Sequence, residues 1–126
     1  MARILVVDDD PDLVEAVTMI LEQKKHEVFP AYNGVEGLDK ARTVNPDAII
    51  LDVMMPDKDG YAVCRELKGD PACRNIPILL MTAVASHIPT TSYTTRMGME
   101  TEADDYVPKP VEPSELVRLV ERLLQR

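Results

Sequence analysis

Apolar and polar residues divide this chain into two kinds of segment. Short runs that are apolar almost throughout, bounded by polar or turn residues, are typical of buried strands. Five such runs are found at residues 4–7, 27–32, 48–52, 76–82 and 106–108. The segments between them carry apolar residues at helical spacing, so the pattern predicts strands that alternate with helices.

Capping residues and prolines mark the ends of the predicted helices. Asp10 and Pro11 supply an N-cap and a first-turn proline for the first helix, which is predicted to end at about Gln23. Similar signals bound the other helices at Asn33-Gly34, Asn45-Pro46, Gly60, Gly69-Asp70-Pro71 and Pro113. The residues predicted to face the core are Val35, Leu38 and Ala41 in the second helix and Leu116, Leu119, Val120, Leu123 and Leu124 in the last.

The βα alternation predicts a doubly wound parallel sheet with right-handed crossovers. Pro30 and Pro108 interrupt the second and fifth strands, and a proline removes a hydrogen-bond donor from the sheet. These two strands should therefore lie at the edges, which fits the flavodoxin-like order 2-1-3-4-5. The fold class expected is α/β, a single (βα)5 domain over residues 1–126.

Composition narrows the function classes further. The 126 residues carry a formal net charge of −8, which argues against direct binding of nucleic acid by this domain. The sequence has no apolar run of membrane-spanning length and no signal peptide pattern. We therefore expect a cytoplasmic protein that does not enter a membrane.

Five polar residues should meet where the predicted strands end. Asp8 and Asp9 follow the first strand, Asp52 ends the third, Thr82 ends the fourth and Lys109 follows the fifth. The carboxyl edge of such a sheet is where ligands bind. Crowded carboxylates repel one another unless a cation joins them, and an all-oxygen set suits Mg²⁺, with Mn²⁺ as an alternative. A phosphoryl group on Asp52 would satisfy the hydroxyl, the ammonium and the cation together.

Each of these residues also has a simpler explanation. Asp8 and Asp9 could be capping acids, although Asp10 already supplies the cap. Thr82 is an ordinary strand-end residue, and Lys109 alone would be a surface lysine. The prolines on both sides of Lys109 restrict its backbone and orient its side chain, and the bond before Pro110 is a candidate for the cis form.

Four motifs resemble the receiver domain of response regulators in two-component signalling, and the resemblance covers the full chain. The residues that carry it are Val6-Val7-Asp8-Asp9-Asp10-Pro11, Leu51-Asp52-Val53-Met54-Met55-Pro56 with Gly60, Met81-Thr82-Ala83, and Ala103-Asp104-Asp105-Tyr106 with Lys109-Pro110. Together they are highly specific.

The resemblance implies a phosphorylation-activated switch. Asp52 would accept a phosphoryl group from a phosphohistidine on a sensor histidine kinase or a phosphotransfer protein. Mg²⁺ would bind Asp9, Asp52 and the backbone carbonyl of Met54, with Asp8 assisting through water. Lys109 would contact the phosphoryl oxygens. The domain would catalyse only its own phosphorylation and slow dephosphorylation, and so would not be an enzyme in the usual sense.

The resemblance also implies how the signal leaves the site. Thr82 would move its hydroxyl onto the phosphoryl group, and Tyr106 would turn inward. This change would reach the face formed by the fourth predicted helix, the fifth strand and the last helix, where a downstream effector binds or the domain dimerises on phosphorylation.

Two features depart from the family pattern. Glu102 stands where the family usually has Gly, and residues 84–95 form a longer, threonine-rich segment with Pro89. We expect a short or displaced fourth helix and a mobile loop over 84–95. Met54 and Val84 stand two residues beyond Asp52 and Thr82, and neither side chain can orient a water molecule, so self-hydrolysis of the phosphoryl group should be slow.

Three other functions compete with this interpretation. A haloacid-dehalogenase-type phosphatase needs a second acid where Met54 stands, and a flavodoxin-like cofactor binder needs a Ser/Thr/Gly-rich first loop where Asp8, Asp9 and Asp10 stand. A receiver-like domain that never takes phosphate is at odds with the complete acid, threonine and lysine set. The output is open: both a stand-alone regulator and a piece of a longer protein fit the sequence.

Overall fold

The computed structural model describes residues 2–82, 103–109 and 111–125. Its five strands are β1 (Arg3–Val7), β2 (Glu27–Ala31), β3 (Ala48–Asp52), β4 (Ile78–Thr82) and β5 (Asp105–Pro108). The four described helices are α1 (Pro11–Gln23), α2 (Gly34–Val44), α3 (Gly60–Gly69) and α4 (Pro113–Leu124). The fourth helix predicted from the sequence and the segment 84–95 lie outside the described residues, so α4 is the last predicted helix.

The strands form one parallel sheet in the order β2-β1-β3-β4-β5. This confirms both the doubly wound α/β fold and the predicted strand order. Pro30 lies in edge strand β2 and Pro108 in edge strand β5. An edge strand has a neighbouring strand on one side only, so it tolerates a residue that has no N–H to donate. Proline placement in the sequence therefore identified the correct edges.

Apolar residues fill both faces of the sheet. Along β1, Leu5 and Val7 point to the core on the side of α2 and α3, whereas Ile4 and Val6 point to the core on the side of α1 and α4. Successive side chains alternate between the faces of a strand, so helices on both sides require strands that are apolar throughout. β3 and β4 are accordingly buried at every position.

Most helix boundaries follow from local capping. The Asp10 carboxylate accepts hydrogen bonds from the backbone N–H groups of Asp12 and Leu13, and Asn33 accepts one from Glu36. The second helix ends with Asn45 in the left-handed conformation, at φ 56°. The strand ends differ slightly from prediction: β2 stops at Ala31, β4 begins at Ile78 after Pro77, and β5 begins at Asp105.

One predicted core residue is wrong. Val35 is 61% exposed, and the buried face of α2 is formed by Gly34, Gly37, Leu38 and Ala41. This face brings the α2 backbone very close to β1: a Cβ on Gly37 would lie 2.8 Å from Cγ1 of Val7. Because the glycines form the contact, Val35 is turned toward solvent.

No helix in the described part of the chain is long and apolar enough to cross a membrane.

Candidate functional site

Two neighbouring strands bring three carboxylates together at the carboxyl edge of the sheet. Asp8 and Asp9 follow β1, and Asp52 is the last residue of β3, with Val7 and Leu51 paired in register. One oxygen from each of the three carboxylates lies within 4.8 Å of the others. Asp8 and Asp52 are buried, whereas Asp9 is exposed. The sheet thus assembles the acidic cluster that the sequence predicted.

Lys109 reaches this cluster from the edge strand β5. Its backbone N–H donates to the carbonyl oxygen of Thr82 at 2.9 Å, which fixes the start of the side chain beside β4. Its Nζ lies 3.1 Å from Oδ2 of Asp8 and 2.9 Å from Oδ1 of Asp52. One ammonium therefore bridges two buried carboxylates that belong to different strands.

The two buried carboxylates differ in how their oxygens are satisfied. Oδ1 of Asp8 accepts a hydrogen bond from the backbone N–H of Asp10 at 2.9 Å, and Oδ2 faces Lys109. Oδ1 of Asp52 has the close ion pair with Lys109 but makes no hydrogen bond within the described residues. The nearby ammonium offsets part of the cost of burying this charge, and the oxygen can still accept a further ligand.

Burial has the largest single effect on the pKa of Asp8, Asp52 and Lys109. It raises the pKa of Asp8 to about 6, with the charge of Asp52 adding to the shift and the Asp10 N–H and Lys109 opposing it. Burial also raises the pKa of Asp52, only partly offset by Lys109 and the backbone N–H of Met54. Burial disfavours the charge on Lys109, but its contacts with Asp52 and Asp8 outweigh this and raise its pKa.

The donor set fits a hard divalent cation. Three carboxylates and one ammonium leave two negative charges uncompensated when all are ionised. Oxygen ligands with open access on one side are what Mg²⁺ prefers, because it keeps several of its waters. The exposed carboxylate of Asp9 leaves one side of the cluster open, so Asp9 and Asp52 could both offer an oxygen to such an ion.

Thr82 and Tyr106 lie on the two strands between the acidic cluster and the sheet edge. Thr82 ends β4 beside β3 and is buried, with 4% of its surface exposed. Tyr106 pairs in register with Leu80 on β4 and is half-buried against the core on the α2 and α3 side. The structure thus brings Thr82 to the rim as predicted and Tyr106 to the neighbouring strand.

The loop formed by residues 53–59, called the β3–α3 loop below, carries Met54. The Met54 side chain is 61% exposed, while its neighbours Val53 and Met55 are buried. Asp57 lies further along the loop and contacts the N-terminus of α2, a role that sequence reasoning missed. No local signal could have revealed it, because Asn33 already provides a cap and Asp57 is 23 positions from Gly34.

Several predicted features lie outside the described residues. These are Ala83, Val84, Pro89, Glu102 and the cis form proposed for the bond to Pro110. The expectations about them therefore stay predictions.

Comparisons with known sequences and solved structures both find receiver domains of two-component signalling. The sequence model of the response regulator receiver domain family matches residues 4–121. The DNA-binding response regulator MtrA of Mycolicibacterium smegmatis is 40% identical over 124 residues, which cover 98% of this chain and 51% of MtrA. The chain spans about half the length of the curated relatives it matches.

Solved structures share the whole fold. The signal receiver domain of a histidine kinase from Syntrophus aciditrophicus has a TM-score of 0.87 at 38% identity, covering 99% of this chain and 91% of that one. The receiver domain of sensor histidine kinase PA1611 from Pseudomonas aeruginosa, with a magnesium ion in its active-site cleft, has a TM-score of 0.87 at 26% identity, covering 99% and 98%.

Proposed function

This chain belongs to the response regulator receiver domain family of two-component signalling, and from this premise we propose that Asp52 is its phosphoacceptor. The observation that carries the proposal is the position of Asp52: a buried carboxylate at the end of β3, with the Lys109 ammonium 2.9 Å from its Oδ1 and the carboxylates of Asp8 and Asp9 beside it. The residues 1–126 would act as one receiver domain, and the family match favours this function over the phosphatase and cofactor-binding alternatives.

The proposed reaction transfers a phosphoryl group from a phosphohistidine to Asp52. A carboxylate oxygen of Asp52 attacks phosphorus, the P–N bond breaks, and the imidazole leaves as its nitrogen takes up a proton. Such a transfer requires mainly positioning and neutralisation of charge on the phosphoryl oxygens. Lys109 is already held between Asp52 and Asp8, so its charge acts on the phosphoryl oxygens with little further reorganisation.

Asp9, Asp52 and the backbone carbonyl of Met54 would hold Mg²⁺, and Asp8 would assist through water. The bound ion would neutralise charge on the transferring phosphoryl group. The closeness of the three carboxylates supports this set, as does the magnesium ion in the PA1611 receiver domain. Mn²⁺, which takes similar oxygen ligands, is an alternative occupant.

The proposed signal passes from Thr82 to Tyr106 and on to the face that includes β5 and α4. The donor partner would be a sensor histidine kinase or a phosphotransfer protein, and the output a downstream effector or dimerisation on phosphorylation. The net charge of −8 favours a protein partner over direct contact with DNA for this domain. DNA binding in relatives such as MtrA would then belong to the portion of those proteins that this chain does not span.

Slow self-hydrolysis follows from the residue beside the phosphoacceptor. The Met54 side chain is exposed next to Asp52 and has no group that could orient or deprotonate a water molecule. The phosphorylated domain should therefore persist well beyond seconds without an added phosphatase.

Intact-mass measurement tests the phosphoacceptor. Incubation with acetyl phosphate and Mg²⁺ should add one phosphoryl group to the wild-type chain, and Asp52→Ala should remove that addition. Asp12→Ala, which changes an exposed acid in the first turn of α1, is the matched control and should still be modified. A full phosphoryl addition to the Asp52→Ala chain would refute the assignment.

A further inference from the structure

The β3–α3 loop is fixed to neighbouring elements at both ends. At its start, the Val53 N–H donates to the carbonyl oxygen of Met81 on β4 at 3.0 Å. At its end, the Asp59 carboxylate caps α3 by accepting from the N–H of Ala62, and the Gly60 N–H donates to the Val53 carbonyl at 2.8 Å. These bonds fix the two ends of the loop and leave its middle to other contacts.

Asp57 attaches the middle of the loop to α2. Its Oδ1 accepts from the N–H of Gly34 and its Oδ2 from the N–H of Val35, each at 3.1 Å. Asn33 binds a different amide, that of Glu36, so the two caps together satisfy three of the free N–H groups at this helix end. A carboxylate is also favoured there by the helix dipole.

Gly34 makes this close approach feasible. A Cβ at Gly34 would lie 2.8 Å from the carbonyl oxygen and 2.9 Å from the Cβ of Lys58. The loop backbone and the start of α2 are therefore in direct contact beside Asp57. Lys58 also pairs with Glu66 of α3, but both side chains are partly exposed and such pairs stabilise little.

We propose that Asp57 is a positioning residue for the cation site, because it holds the β3–α3 loop against α2 and so fixes the Met54 carbonyl. Met54 lies between two buried residues, Val53 and Met55, so the direction of its carbonyl depends on the path of the loop. Asp57 does not contact the ion; it restricts the loop that provides a ligand. This inference rests on the proposed function, in which that carbonyl binds Mg²⁺.

Two substitutions at Asp57 test its contribution to Mg²⁺ affinity. Asp57→Ala removes both acceptors, and it should raise the Mg²⁺ dissociation constant by about tenfold, at the low end of losses for residues that orient metal ligands. Asp57→Asn keeps one acceptor oxygen, while its NH₂ group faces an N–H donor. The Asn variant should therefore bind Mg²⁺ with an affinity between those of wild type and Ala.

Asp70→Ala is the matched control. Asp70 is another carboxylate outside the core that accepts a backbone N–H, from Ala72, and it also binds Arg42 Nε at 2.9 Å. It lies after α3, away from the edge that carries Asp8 and Asp52. Its removal should lower stability without changing Mg²⁺ affinity.

The experiment is titration calorimetry of Mg²⁺ into the full chain and its three variants, with urea unfolding of each. Hydrogen exchange at the Gly34 and Val35 amides should speed up in Asp57→Ala but not in Asp70→Ala. If wild type binds no Mg²⁺, the proposed function fails. If wild type binds and both Asp57 variants bind equally tightly, only the positioning role fails. Equal weakening by Asp70→Ala would overturn that role too, because general destabilisation would explain it.

Discussion

The Asp8 side chain is fully buried next to a second buried carboxylate, and this makes its ionisation costly in the absence of a cation. Lys109 lowers the cost because its ammonium contacts both acids. The same ammonium would then be available for the proposed phosphoryl group on Asp52. At the residue scale, the site is thus a cluster of charges that the folded chain holds together before any ligand binds.

The raised pKa of Asp8 predicts that the difference in stability between wild type and Asp8→Asn depends on pH. Its folded pKa of about 6 exceeds the ordinary 3.8, so the folded state binds the proton more tightly, and this stabilisation is lost as pH rises through 6. Asp8→Asn should match wild type below the unfolded pKa of 3.8, near pH 3, and become about 1–3 kcal/mol more stable by pH 7.5 with a chelator present. Urea unfolding measures this difference, and one that does not change with pH would contradict the prediction.

At the element scale, glycines on the buried face of α2 let its backbone approach its neighbours closely, beside the buried Leu38 and Ala41. Gly37 packs on Val7 of β1, and Gly34 packs on the β3–α3 loop. The second helix therefore lies close to both the sheet and the β3–α3 loop. This closeness lets the α2 N-terminus receive the Asp57 carboxylate.

Substitutions at two helical glycines should have opposite effects on stability. A Cβ at Gly37 would lie 2.8 Å from the buried, β-branched side chain of Val7, which has little freedom to move. Gly37→Ala should therefore destabilise the fold by about 1–2 kcal/mol, despite the better helix propensity of Ala.

Gly69→Ala is the control, because a Cβ at Gly69 would meet nothing within 4 Å and this residue lies within α3. That variant should gain about 0.5–1 kcal/mol through the unfolded state. Urea unfolding of the two variants measures both effects. If Gly37→Ala were as stable as Gly69→Ala, the close packing of α2 on β1 would not be a constraint.

At the scale of the whole molecule, the sheet order determines which residues can form one site. The ends of β1, β3 and β4 are adjacent, and β5 contributes Lys109 from the edge. A ligand that binds this cluster contacts several strands at once. Binding should therefore stabilise the complete fold and not one element of it.

Mg²⁺ should raise the free energy of unfolding of the whole domain. At a concentration one hundred times its dissociation constant, the gain is about 2.7 kcal/mol if the ion binds only the folded chain. Thermal unfolding with and without Mg²⁺ measures this gain as a higher Tm. Asp9→Asn should lose most of it, while Asp12→Asn, an exposed acid outside the cluster, should keep it. Equal stabilisation of both variants would remove Asp9 from the ligand set.

The sequence by itself determined the elements and the rim of the sheet. Apolar runs, capping residues such as Asp10 and Asn33, and prolines in β2 and β5 act locally, through backbone hydrogen bonds and restricted dihedral angles. Effects that act between residues close in the chain can be predicted from the sequence alone. The prolines placed β2 and β5 at the edges, which fits the flavodoxin-like order, and that order brought Asp8, Asp9 and Asp52 to one edge.

Tertiary structure alone decided the contacts between residues far apart in the chain. The sequence placed Lys109 at the same edge as Asp8, but only the structure shows its ammonium between Asp8 and Asp52. Likewise, Asp57 caps a helix that begins 23 positions earlier, and Val35 faces solvent because glycines make the α2 contact. Each depends on how closely two elements approach, which packing of the whole core sets. Hydrophobic spacing along the sequence predicts the buried face of a helix only approximately. Which residues are buried depends on how closely the helix backbone approaches its neighbours.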